Sequence, residues 1–179
     1  MLWVAGSPAG AWSSDDGAVA VFSGTGQHRV GLVAVDSSGN VYTTGHFEGT
    51  SDFDPGAGTA NLTSNGKQDV FVSKLDSSGN YVWAKNFGGT EFDMGNSVAV
   101  DSSGNVYTTG DFRSTVDFDP GSGTTNLTAP SNSDVFVLKL DSSGNLGTST
   151  GAVTTTTTTT APTTTTAPPA GTLTLSAVA

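Results

Sequence analysis

The chain has 179 residues, with 16 acidic and 6 basic side chains and a formal net charge of −10 at pH 7. A surface of this sign repels phosphate backbones, so we exclude nucleic-acid binding and interpret the acidic charge as a means of staying soluble. The chain has no cysteine, which excludes disulfides, thiolate metal sites and a cysteine nucleophile. No stretch reaches the roughly 18 apolar residues of a membrane-spanning helix, so membrane insertion is not predicted.

Residues 1–27 are a degenerate N-terminal segment. Its first residues place no Lys or Arg before a very short apolar run, which makes a poor signal peptide and favours a truncated gene start. Residues 17–22 are apolar, and a shift of 65 positions places them on residues 82–87. We therefore predict one spare outer strand over residues 17–22.

The rest of the ordered chain consists of two copies of one repeat. Residues 33–80 align with residues 98–145 at an offset of 65 without a gap, and 36 of those 48 positions are identical. Within a repeat region of 28–147, the copies run over about 30–89 and 95–147. A tandem repeat of this length is typical of folds in which each unit buries its apolar faces against its neighbours.

Within the copies, apolar β-branched segments alternate with turn signals. The predicted strands are residues 97–100, 106–112 and 134–140 of the second copy and residues 81–87 of the first. DSSGN turns begin at Asp36, Asp76, Asp101 and Asp141. Asp and Ser can bond the turn backbone while Gly or Asn accepts positive φ, so these turns predict hairpins. One copy is thus a four-stranded antiparallel meander, and no helical periodicity is present.

The predicted fold class is all-β, with tandem four-stranded blades of a partial β-propeller; a two-sheet sandwich is the alternative. DSSGNVYTTG, then DFDPG, NLT, DVFV and YVWAKNFGG in order, resembles the bacterial SBBP-type β-propeller repeat over about residues 16–147. This resemblance implies a large secreted or surface-attached protein whose propeller has no established catalytic role.

The second copy departs from the family pattern because it lacks a fourth strand after Asn145. Two blades cannot close a ring, since propellers typically have about four to eight. The first interpretation is that the chain is a fragment of a longer protein. The alternative is head-to-tail self-association, in which the N-terminal strand of one copy completes the last blade of the next.

The end of the chain is unlike the repeats. Residues 148–170 are a Thr/Pro-rich linker without aromatic or charged residues, which predicts an extended, disordered spacer. Residues 171–179 alternate apolar and polar side chains and are interpreted as the stub of a further β module.

Two pairs of carboxylates are the metal candidates, because acids at i and i+2 of an extended segment point to one side and suit a hard cation. The pairs are Asp52 with Asp54 and Asp117 with Asp119. Calcium is the ion that these oxygens would take, and turn capping is the alternative role. No other cofactor and no catalytic residue is predicted, His28 and His46 are expected to be exposed, and Trp83 is expected to be buried between blades.

The sequence therefore predicts a non-catalytic structural or ligand-binding propeller module of a secreted or cell-surface bacterial protein, with a carbohydrate or a protein as its ligand. One alternative is an accessory module of a larger extracellular polysaccharide-active enzyme. The other is a calcium-dependent adhesion unit.

Overall fold

A computed structural model describes residues 20–130 and 132–147. The predicted linker and C-terminal stub lie outside these residues. The described chain contains twelve strands and no helix, so it holds none that is long and apolar enough to cross a membrane. The strands are β1 Ser23–Gly24, β2 His28–Val35, β3 Val41–Phe47, β4 Thr50–Asp52, β5 Asn61–Thr63, β6 Asp69–Leu75, β7 Tyr81–Phe87, β8 Met94–Val100, β9 Val106–Phe112, β10 Thr115–Asp117, β11 Asn126–Thr128 and β12 Asp134–Leu140.

Two larger sheets hold most of the strands, and every strand pair is antiparallel. Sheet A has the order β2-β3-β6-β7, and sheet B has the order β8-β9-β12. The predicted strands 81–87, 106–112 and 134–140 are confirmed at both ends. Strand β8 begins at Met94, earlier than predicted, because a bulge between Gly95 and Ser97 interrupts the alternation of its side chains.

The DSSGN turns at Asp36, Asp76 and Asp101 form the predicted hairpins, and the turn at Asp141 is followed by a single bridge between Leu140 and Leu146. In the first of them, the Asp36 Oδ1 atom accepts hydrogen bonds from the backbone amides of Ser38 at 2.9 Å and Asn40 at 3.0 Å. Gly39 has φ of +81°, a conformation that favours glycine. Hydrogen bonds from the Asn40 side chain and from these amides lower the pKa of Asp36. Contacts among its own residues therefore stabilise the turn.

The long connection within each copy is more ordered than its sequence indicated. In the first copy, β4 and β5 pair with each other, and β1 adds to their edge. In the second copy, β10 pairs with β11. These short strands form a second, smaller hairpin beside each large sheet.

The predicted spare strand is not seen in its described part. Residues 20–22 form no strand, and residues 17–19 lie outside the described residues. Within the part of the chain that the structure describes, no strand pairs with residues 20–22, and Phe22 packs its ring on Phe53 and Phe71 of the first copy. The domain boundaries stay predictions.

Sheet A stacks on sheet B through one face of each. The shared core holds large side chains from both sheets, among them Tyr42, Val72, Phe87, Val106 and Leu140. The Oγ1 atoms of Thr44 and Thr108 lie 3.1 Å apart across the junction. The predicted burial of Trp83 is confirmed, and its Nε1 atom donates to the Ser142 carbonyl at 3.1 Å.

Strand β8 of sheet B approaches strands β2 and β3 of sheet A closely. A Cβ atom on Gly31 would lie 2.6 Å from the Gly95 carbonyl oxygen, and one on Gly95 would lie 2.7 Å from the Gly45 carbonyl oxygen. Real Cβ atoms do not tolerate such distances, so both glycines are required for this close approach.

Candidate functional site

The outward side of sheet A is an apolar surface, and we call it open face A. It carries Val30, Val33 and Val35 of β2, all of which are more than half exposed. A cavity of about 660 Å³ lies over it. The lining residues are Ala20, Val21, Phe22, His28, Arg29, Val30, Val33, Val35, Val41, Thr43, Phe53, Phe71 and Leu75. Apolar cavities of this size are typical of binding sites.

Open face A corresponds by sequence to a surface that is covered in the second copy. Val33 is 55% exposed, whereas Val98, which is 65 positions later, is 7% exposed because sheet A covers it. Val41 is half-buried, whereas its equivalent Val106 is fully buried. The same residue type at the same register therefore lies in solvent or in a core according to whether a second sheet packs there.

The outward side of sheet B shows the reverse relation, and we call it open face B. Val135 and Val137 are 85% and 77% exposed. Their equivalents Val70 and Val72 are 1% and 0% exposed, since they face sheet B. The described part of the chain thus ends in an apolar surface on both sides of its two-sheet stack.

One aromatic ring partly covers open face A. The centroid of Phe22 lies 5.2 Å from that of Phe53 and 6.4 Å from that of Phe71. Both partners are buried, and Phe53 comes from the DFDPG segment. Phe22 is thus held on the face by contacts with aromatic rings.

The position of Phe22 repeats that of Phe87, which is 65 residues later. Phe87 lies 5.7 Å from both Phe118 and Phe136, the equivalents of the two partners of Phe22. The tilted and edge-on ring orientations also agree between the two sites. At the internal junction this place is filled by Phe87, which belongs to the fourth strand of sheet A. Phe22 therefore covers sheet A as Phe87 covers sheet B.

The four aspartates predicted as calcium ligands cap the loops of the small hairpins. Asp52 Oδ1 accepts the backbone amides of Asp54 at 3.0 Å and Ala60 at 2.8 Å, and Asp54 Oδ1 accepts that of Gly56 at 2.8 Å. Asp117 and Asp119 make the equivalent bonds in the second copy. The described residues contain no group of three or more His, Cys, Asp or Glu side chains that could hold a metal ion. The calcium site stays a prediction.

The residue between those aspartates is a core residue that sequence reasoning missed. Phe118 lies 5.1 Å from Phe112 and 5.2 Å from Phe136, both of sheet B, and also contacts Phe87 of sheet A. Phe53 has the same place in the first copy. The DFDPG motif therefore has two structural roles. Its aspartates cap a loop, and its phenylalanine packs that loop against the core.

Two further carboxylates are buried, and they were not singled out by their sequence. Asp69 accepts the Asn65 backbone amide at 3.0 Å and the Asn86 side-chain amide at 3.2 Å, but its buried Oδ1 atom has no hydrogen-bond partner among the described residues. Burial raises the pKa of Asp69 to about 6. Asp93 accepts the backbone amides of Gly89 and Arg113, and burial raises its pKa as well. Both carboxylates hold loops together at the ends of strands.

The two histidines are less exposed than predicted. His28 is half-buried, and its Nε2 atom is a hydrogen-bond partner of Ser51 Oγ. His46 is half-buried as well, and burial lowers its pKa. His28 is the first residue of β2, and His46 lies on the same face of β3 as the buried Tyr42 and Thr44.

Comparison with known proteins agrees with the repeat architecture. Residues 82–111 match the model of the SBBP family, which is described as a β-propeller repeat. This segment runs from β7 of sheet A to β9 of sheet B, so it spans the connection between the two sheets. These residues are similar to a β-propeller repeat.

The chain is also 32% identical over 94 residues to an uncharacterized WD repeat-containing protein of Acanthamoeba polyphaga mimivirus. The match covers 45% of this chain and 7% of that relative, so the chain spans a small part of the relative's length. No solved structure matches the chain. The two likenesses support a tandem propeller-type repeat.

Proposed function

We propose that this chain is a non-catalytic, propeller-type module that binds a protein partner through open face A. The observation that carries the proposal is the apolar cavity of about 660 Å³ over a sheet whose equivalent face in the second copy is a protein core. The likenesses to a β-propeller repeat and to a WD repeat-containing protein support it. Because a fold by itself does not fix a function, the proposed role is argued from the surface of the sheet.

The outward faces favour a propeller-type stack over a finished two-sheet sandwich. In a sandwich, the outward side chains of both sheets are polar, because only the inner faces meet. Here Val33 of sheet A and Val137 of sheet B are more than half exposed on outward faces. Sheets with two apolar faces are built to pack on a neighbour at each side.

The lining of the cavity favours a protein ligand over a carbohydrate or a substrate for catalysis. It contains one histidine and one arginine, and the remaining residues are apolar apart from Thr43. The lining formed by the described residues contains no carboxylate, the group that acid–base catalysis commonly uses. Apolar side chains of a protein partner suit such a surface.

We place the module in an extracytoplasmic protein. The support is the acidic composition, with 16 acidic against 6 basic residues, and the Thr/Pro-rich sequence of residues 148–170. Thr/Pro-rich segments are typical of stalks on cell surfaces.

Open face A is expected to bind the neutral dye Nile red when the protein is dilute. Val33→Asp places a charge on the apolar face, and we expect this to weaken dye binding about tenfold, or about 1.4 kcal/mol. The measurement is a fluorescence titration of the dye. Val137→Asp on open face B is the matched control, and it should leave the affinity unchanged. Equal dye binding by the wild type and Val33→Asp would contradict the proposal.

A further inference from the structure

We propose that the partner of open face A is open face B of a second copy of this chain. This inference rests on the proposed function, since it names the protein that the face binds. The second copy would dock its sheet B on sheet A of the first in the arrangement that the two sheets have within one chain. The junction inside the chain supplies the geometry for the junction between copies.

The repeat makes the two open faces complementary. Open face A is the sequence equivalent of the face of sheet B that is buried within the chain, as Val33 and Val98 show. Open face B is the equivalent of the buried face of sheet A, as Val137 and Val72 show. Most apolar side chains that sheet B buries at the internal junction recur at the equivalent positions of open face A, with Ser73 in place of Leu138 as the exception.

The polar pair of the internal junction is present as well. Thr44 and Thr108 are both fully buried and lie within hydrogen-bond distance across that junction. A shift of 65 positions turns them into Thr109 on open face B and Thr43 on open face A. Each copy thus carries both halves of this hydrogen bond on different surfaces.

Each copy also supplies what the docking sheet lacks. Sheet B has three strands in the described chain, whereas sheet A has a fourth, which brings Phe87 to the internal junction. At open face A, Phe22 of the receiving copy already fills the equivalent place against Phe53. A three-stranded sheet can therefore cover open face A without an aromatic ring of its own.

Larger side chains on strands β2 and β8 make the junction between copies looser than the internal one. The internal junction requires Gly95 and Gly31, whose equivalents are Val30 on open face A and Asn96 on open face B. The added side chains hold β2 of one copy and β8 of the next farther apart. The net charge of −10 on each copy also opposes association at low salt. We therefore expect reversible association that depends on concentration and is strengthened by salt.

The interface is heterologous, because two different faces meet, and such interfaces form rings or filaments. Propellers typically contain about four to eight blades, so a closed ring of two-sheet chains would contain about two to four copies. Sedimentation velocity of the full chain at physiological or higher salt should show an oligomer of about two to four copies. The fraction of the protein in this oligomer should rise with protein concentration.

A mixing experiment tests the complementarity of the faces. Val33→Asp removes open face A and Val137→Asp removes open face B, and both positions are exposed, so each variant should fold and remain monomeric. An equimolar mixture should form a dimer and nothing larger, because one intact face of each kind remains. Circular dichroism and melting temperatures check the fold of both variants.

The outcomes separate this inference from the proposed function. A dimer in the mixture, with monomers in the separate samples, supports docking of face B on face A. A wild type that remains monomeric at submillimolar concentration, or a mixture that contains only monomers, would overturn the inference. If the monomeric wild type still bound Nile red in a manner sensitive to Val33→Asp, the binding role of open face A would stand.

Discussion

Replacing Phe118 with alanine is expected to lower the free energy of unfolding by about 3 to 5 kcal/mol, the usual cost of removing a buried aromatic side chain. Phe118 is 3% exposed and contacts Phe87 of sheet A as well as Phe112 and Phe136 of sheet B. Its removal would leave a cavity where the two sheets and the DFDPG loop meet. Chemical denaturation followed by circular dichroism measures the loss.

Two controls separate the loss of the ring from a general effect of substitution. Phe118→Leu keeps most of the apolar volume and should cost clearly less than Phe118→Ala. Val135→Ala changes a side chain that is 85% exposed, so it should change stability little. A loss below about 1 kcal/mol for Phe118→Ala would show that the ring does not join the sheets.

Replacing Asp69 with asparagine is expected to remove a pH dependence of about 1 to 3 kcal/mol. Asp69 is fully buried, and burial raises its pKa to about 6, well above the usual range of an aspartate. Between pH 4 and 6 the folded protein therefore holds a proton that the unfolded chain has released. The stability that this carboxyl contributes falls as pH rises through this range and stays reduced above it, whereas asparagine does not titrate.

The measurement is the difference in unfolding free energy between Asp69→Asn and the wild type at several pH values. This difference should shift in favour of the variant from pH 4 to pH 7. Asp36→Asn is the control, because hydrogen bonds lower the pKa of Asp36, so that its difference should change only below about pH 4. A flat difference for Asp69→Asn over pH 4 to 7 would contradict the effect of burial on this carboxyl.

The large strands and the hairpins were predictable because their signals are local. Strands β7, β9 and β12 are rich in β-branched and aromatic residues and end at turn residues, and their predicted limits are confirmed. The chemistry of a DSSGN turn requires only the five residues of the turn itself. Such features depend little on what the rest of the chain does.

The small hairpins and the buried acids were missed because their signals are tertiary. Strands β4 and β5 have three residues each, too few for a visible alternation of side chains. Asp69 begins the same DVFV segment as Asp134, yet Asp69 is fully buried and Asp134 only half-buried. The difference in burial between the two aspartates comes from the neighbouring elements of each copy.

The open faces could not be predicted for the same reason. Val72 and Val137 lie in the equivalent segments DVFVSKL and DVFVLKL, which differ only in Ser73 and Leu138. Only the presence of sheet B over Val72 decides that one is core and the other surface. In repeats of nearly identical sequence, a face is therefore a core or an exposed surface according to whether another sheet packs on it.

The most direct test of this stacking compares one substitution at these two equivalent positions. Val72→Ala should lower the unfolding free energy of dilute, monomeric protein by about 2 kcal/mol, because two buried methyl groups are lost and a cavity remains. Val137→Ala should change it by less than about 0.5 kcal/mol, because Val137 is 77% exposed. Equal losses at the two positions would contradict face-to-face packing of sheet A on sheet B with an open face beyond it.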